Sequence, residues 1–75
     1  IDYLDLASFV HMQFARIWAY PDANGRLARL FMNEILRLGR KPPITFPNEQ
    51  QYLKTVHAAM ADSSLFTRYL RSIAR

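Results

Sequence analysis

Apolar side chains recur along this chain at helical spacing. Leu6, Val10, Phe14, Ile17 and Trp18 lie four, four, three and one residues apart, which predicts a helix over about residues 3–18. Asp2 or Asp5 suits its start. Pro21 ends it, because proline disfavours helical geometry in the residue before it, so residues 19–23 read as a tight loop. A second helix is predicted over about residues 24–38. Leu27, Leu30, Phe31, Ile35 and Leu38 line one side of it, while Ala28 and Met32 extend the apolar surface nearly all round, as in the buried centre of a bundle. Gly39 fits the left-handed position past its C-terminus, with Arg37, Arg40 and Lys41 near the last carbonyls. Pro42 and Pro43 then force an extended connection.

Pro47, Asn48 and Gln51 predict a third helix start, with Asn48 as cap and Gln51 at the capping-box position. Tyr52, Val56, Ala59 and Met60 form its stripe. Ser63 or Ser64 caps a fourth helix whose Phe66, Tyr69, Leu70 and Ile73 face inward. With no credible strand and no internal repeat, the fold class is all-α, a small array of about four helices.

Composition narrows this further. Seventy-five residues allow one small domain with a thin core, burying roughly 60% of the unfolded surface. Hydrophobic residues at 51% and charged residues at 21% argue against wholesale disorder. The absence of cysteine removes disulfides and thiol chemistry. No basic stretch followed by an apolar core marks a signal peptide. The richest apolar run, residues 27–38, contains Arg29, Asn33, Glu34 and Arg37, so it cannot span a bilayer. A cytoplasmic setting, of the source or of a host cell, is therefore the default expectation, although 75 residues do not encode the compartment. A chain this small reads as a piece of a larger protein. Its net charge of +4 hints at an anionic partner.

One stretch, residues 18–29, is not explained by packing. A helix N-terminus already carries about half a positive charge and disfavours basic residues by roughly 0.3–1 kcal/mol each. Arg26 and Arg29 nevertheless stand in the first two turns of the second helix, on neighbouring positions of one face. An anion would account for them. Backbone N–H groups near Asn24 and Gly25 would point at it, Gly25 would allow close approach, and Asn24 could donate its amide. Arg26 and Arg29 could clamp phosphate oxygens, and Asp22 could hold Mg²⁺ bridging the phosphates. The alternatives are a turn at Asn24-Gly25, a cap at Asp22, and arginines that are solvated or paired with carboxylates missing from these residues.

The segment resembles the signature of Fic domains, His-Pro-Phe-x-Asp/Glu-Gly-Asn-Gly-Arg-x-x-Arg. Asp22, Asn24, Gly25, Arg26 and Arg29 match it, and Ala23 takes the first Gly place. His11, Phe14, Leu30, Met32, Asn33 and the turn over 39–43 extend the likeness to about residues 6–52. The resemblance implies that residues 1–75 are the motif-bearing C-terminal half of a Fic-like domain, with the motif loop over 18–29 between two central helices. It also implies ATP with Mg²⁺ as cofactor and transfer of AMP to a hydroxyl of a target protein. By that likeness Asp22 would bind Mg²⁺, Asn24 and the Gly25 amide would hold the phosphates, and Arg26 would grip the outer ones. Arg29 would reach the terminal phosphate, or pair with the glutamate of an inhibitory helix from a segment or partner outside these residues.

The likeness breaks at its first position. Trp18 stands where the motif has histidine, Ala19 where it has proline and Tyr20 where it has phenylalanine. In the family that histidine takes the proton from the attacking hydroxyl. An indole has an N–H donor and no titratable acceptor, so Trp18 cannot serve as general base. His11 lies two helical turns earlier, roughly 10.5 Å along the axis, and reads as a packing residue, while His57 reads as a surface or packing residue.

Two functions follow: a Fic-type adenylyltransferase with weak or no catalysis, or a non-catalytic protein-interaction or regulatory pseudoenzyme domain that binds nucleotide or a partner protein without transferring AMP. Nucleic-acid binding by a helix-turn-helix is disfavoured. Arg26, Arg29, Arg37, Arg40, Lys41 and Arg75 already have helix-end roles, and the other cations form no groove-facing stripe.

Overall fold

The computed structural model describes residues 2–17 and 21–74, the side chains of residues 21–25 excepted. Four helices follow in order: α1 (Tyr3–Ile17), α2 (Pro21–Leu38), α3 (Glu49–Ala59) and α4 (Ser64–Ile73). No strand occurs among the described residues, so the all-α, four-helix expectation holds.

The caps follow the sequence with one exchange. Asp2 Oδ1 accepts from the N–H groups of Leu4 at 2.9 Å and Asp5 at 3.3 Å, satisfying two donors at the start of α1. Arg71, near the end of α4, donates to Asp2 at 2.9 Å and to Asp5 at 2.6 Å, joining the start of α1 to the end of α4. The Arg71 bond is the main reason the Asp2 carboxyl lies below its ordinary value. Asn48 caps α3, its Oδ1 accepting from Gln51 N–H at 3.0 Å. At α4 the expected serine cap is replaced. Ser63 has helical dihedrals and makes no side-chain cap bond. Asp62, one residue earlier, accepts from the Ser64 amide at 3.1 Å and the Ser64 hydroxyl at 2.7 Å.

Two helix ends differ from expectation. Helix α2 begins at Pro21, so residues 21–23 belong to the helix and not to a loop. Proline is suited to the first helical position because its φ is preset and its missing N–H has no partner there. At the other end of α2 the left-handed residue is Arg40, with φ of 58°, and no glycine has positive φ. Lys41 N–H bonds to Leu36 C=O and Arg40 N–H to Arg37 C=O, the paired bonds of a Schellman ending. Gly39 is required for a different reason. A Cβ there would lie 2.3 Å from Cγ and 2.7 Å from Cβ of Tyr3, so α1 crosses the end of α2 at a point where only glycine fits.

The buried faces also differ from the predicted ones. Helix α1 turns Ala7, Ser8, His11, Met12 and Ala15 inward, and α2 buries Ala28, Met32 and Leu36. The predicted stripes stay largely outside: Ile17 is 71% and Leu38 63% exposed, and Leu6, Leu27, Leu30 and Phe31 are exposed as well. Small residues at Ala7, Ala15 and Ala28 let backbones approach closely, which the larger stripe residues would prevent. Helix α2 is thus an amphipathic flank with an apolar outer surface, where Phe14 and Phe31 stack at 4.8 Å. It is not the all-round buried centre. Helices α3 and α4 bury the expected Tyr52, Val56, Ala59, Phe66, Tyr69 and Leu70.

Asn33 fixes the extended connection between α2 and α3. Its amide donates to Ile44 C=O at 3.2 Å, and its Oδ1 accepts from Ile44 N–H at 2.9 Å. The side chain therefore pairs with the backbone as a neighbouring strand would, and Ile44 enters the core.

Candidate functional site

Helix α2 carries the motif residues on its first turns. The side chains of Asp22, Asn24 and Gly25, and the whole of Trp18, Ala19, Tyr20 and Arg75, lie outside the described residues. So do the roles expected of those groups.

Arg26 is exposed and makes no ion pair with another described residue. Arg29, one turn on, is held. Its Nη1 donates to Glu49 Oε2 at 3.0 Å, and its guanidinium carbon lies 4.6 Å from the centroid of the Tyr52 ring. Arg29 is thus paired with a carboxylate of this chain, which the sequence alternatives did not include. The excess positive charge at this end of α2 is then carried foremost by Arg26.

Tyr52 is fully buried and hydrogen-bonded through Oη to His11 Nε2 at 2.6 Å, either atom being able to donate. His11 also stacks on Phe66 with centroids 4.2 Å apart. Burial, with a smaller contribution from the Arg29 charge, pushes the His11 imidazole down to about 4, so it is neutral at pH 7. Burial also pushes the Tyr52 hydroxyl up to about 12. His11 is the packing residue the sequence predicts, and His57 is exposed. What sequence reasoning missed is the set Glu49, Tyr52 and His11 beneath Arg29. Its only signals were an acidic residue in the first turn of α3 and an aromatic three residues later. The partner they face stands 20 positions upstream.

An exposed arginine, Arg26, and a second arginine held in place, Arg29, stand at this end of α2. Among the described residues no group of three or more His, Cys, Asp or Glu could hold a metal, and Asp22 is the one carboxylate of the motif. No helix of the described residues is long and apolar enough to cross a membrane.

The Fic/DOC family profile matches residues 1–36, a span that contains α1 and the motif positions 22–29. Protein adenylyltransferase fic-1 of Caenorhabditis elegans is 33% identical over 73 residues, covering 93% of this chain and 14% of the relative. Protein adenylyltransferase Fic of Drosophila persimilis and that of Drosophila melanogaster are each 28% identical over 71 residues, covering 95% of this chain and 14% of the relative. The chain thus spans about one seventh of the length of these relatives. No solved structure matches. Residues 1–36 of this chain thus carry part of a Fic/DOC family domain.

Proposed function

We propose that this chain is the nucleotide-binding, motif-bearing part of a Fic-type protein adenylyltransferase domain, with weak or no AMP transfer because Trp18 replaces the motif histidine. The observation that carries this is the run Asp22-Ala23-Asn24-Gly25-Arg26 followed by Arg29 on the first turns of α2, inside the span that matches the family.

ATP with Mg²⁺ is the ligand that the family likeness brings. Asp22 would ligate the cation, since Mg²⁺ is commonly held by one or two carboxylates together with phosphate oxygens. Asn24, Gly25 and Arg26 would take the phosphates, with Arg29 at the outer end. When bound, the magnesium nucleotide supplies an α-phosphate open to attack by a hydroxyl of a target protein. This chain's contribution is to bind and orient, through charge at a helix start. Deprotonating the hydroxyl is the step for which it has no evident group. Trp18 offers no basic lone pair, and His11 is buried against Tyr52 and Phe66. Nucleotide and target protein are the partners implied. If transfer is absent altogether, the same site serves a regulatory domain that binds nucleotide without reacting it.

Labelled ATP with Mg²⁺ tests this. The Trp18→His variant should place covalent label on protein, and the parent chain should give about 10²–10⁴-fold less, the usual contribution of a general base. Equal labelling by both would sink the role given to Trp18. If neither labels protein nor binds ATP, the nucleotide reading fails.

A further inference from the structure

We propose that Tyr52 is a positioning residue for Arg29: its ring holds the guanidinium where the outer phosphate of a bound nucleotide meets α2. This rests on the nucleotide reading above and adds to it a residue outside the motif.

An arginine side chain has many rotamers, and their entropy must be given up when it clamps an anion. At Arg29 that loss is largely taken in the fold itself. The Tyr52 ring lies under the guanidinium, 4.6 Å away, and Glu49 Oε2 accepts from Nη1 at 3.0 Å. Glu49 and Tyr52 are three residues apart in the first turn and a half of α3, and so share one face. Asn48 fixes where that face begins by capping the helix. Helix α3 therefore presents a carboxylate and an aromatic ring to the same arginine.

The ring is itself immobilised. His11 holds its hydroxyl at 2.6 Å and meets its edge at 5.5 Å between centroids, while Phe46 packs at 4.6 Å. The chemistry of the contact also suits the purpose. A ring takes the flat face of a guanidinium and leaves the N–H donors, which lie in the plane, to acceptors at the edge. The phenol stays neutral at working pH and adds no negative charge beside the anion.

The test is a double-mutant cycle read by calorimetric titration with Mg²⁺-ATP, using the parent chain, Tyr52→Leu, Arg29→Ala and the double variant. The expected result is a rise in Kd of about three- to tenfold for Tyr52→Leu, in keeping with a cation–π contact of this exposure. In the Arg29→Ala background the same change should have no effect, which a merely structural role for Tyr52 would not produce. Tyr52→Phe, which keeps the ring, should bind within about twofold of the parent. Unchanged affinity for Tyr52→Leu, or an equal loss with and without Arg29, overturns the positioning role while leaving the nucleotide reading intact. No binding by the parent chain overturns both. If Tyr52→Leu does not fold, NMR of the parent decides. The Arg29 δ-methylene protons should be shifted upfield by the ring, and the Arg29 Nε–Hε signal should move on adding Mg²⁺-ATP. Absence of either overturns the proposal.

Discussion

His11 Nε2 and Tyr52 Oη lie 2.6 Å apart in the interior, and the burial of this histidine makes the fold sensitive to pH. The other ring nitrogen, Nδ1, is buried and meets no polar partner among the described residues. Protonating the ring would place a charge, and a second N–H donor, where neither is compensated. That is why the imidazole sits near 4, well below its ordinary 6.5.

The sign follows from this. A histidine whose pKa falls on folding contributes stability that is full above pH 6.5 and is lost as pH falls through about 4. Over that window the loss should approach roughly 3 kcal/mol at about 1.36 kcal/mol per unit. Urea unfolding at intervals from pH 8 to pH 4 should show a plateau and then a decline beginning near 6.5. The Asp2 and Asp62 carboxyls, both below their ordinary values, add their own loss only below about 4. A His11→Gln variant should lack the decline between 6.5 and 4.5. A decline of the same size in that variant would assign it to another group.

Gly39→Ala should destabilise the fold, because the new methyl group would stand 2.3–2.7 Å from Tyr3 carbons that include Cβ. Movement of a ring tip cannot relieve that overlap, so α1 must shift on α2. The expected loss is about 1–3 kcal/mol, typical of overpacking. Pairing it with Tyr3→Ala should recover only the part of the overlap term due to the ring, because the Cβ of residue 3 stays at 2.7 Å, and chemical denaturation of the four proteins in the cycle measures it.

Arg40→Gly should act in the opposite direction. A non-glycine residue at φ 58° bears a cost of roughly 1–2 kcal/mol in the left-handed region. Glycine removes it while losing about 0.5–1 kcal/mol to a more flexible unfolded chain. A net gain of about 0.5–1 kcal/mol is expected, seen as a rise in Tm of several degrees for a domain of this size. An unchanged or lower Tm would mean that the Arg40 side chain contributes to stability.

Helix number and most caps were legible in the sequence because both are local. Asn48 and Gln51 bond within one turn, and periodicity over ten or more residues marks a helix whatever it packs against. Pro21 was ambiguous because proline is a signal for both the end and the start of a helix. Which stripe faces inward was not legible. Helices α1 and α2 each carry two apolar stripes, and Leu27 cannot be told from Met32 by spacing when small neighbours such as Ala28 decide the approach of backbones. The site divides in the same way. The motif is a contiguous string, so Arg26 and Arg29 could be read directly. The grip on Arg29 comes from Glu49 and Tyr52 on another helix, and from His11 on a third, and no local pattern joins them.

Nucleotide binding at the start of α2 is tested most directly by the Tm of the protein with and without Mg²⁺-ATP, alongside Arg26→Ala. Ligand at about 100 times its Kd stabilises a folded binder by roughly 2.7 kcal/mol, equivalent to about ten degrees or more for a small domain. A rise that Mg²⁺-ATP produces in the parent, and that Arg26→Ala largely abolishes without lowering the Tm of the free protein, is the predicted result. No rise at millimolar Mg²⁺-ATP, or an equal rise in both proteins, would contradict phosphate binding by this motif.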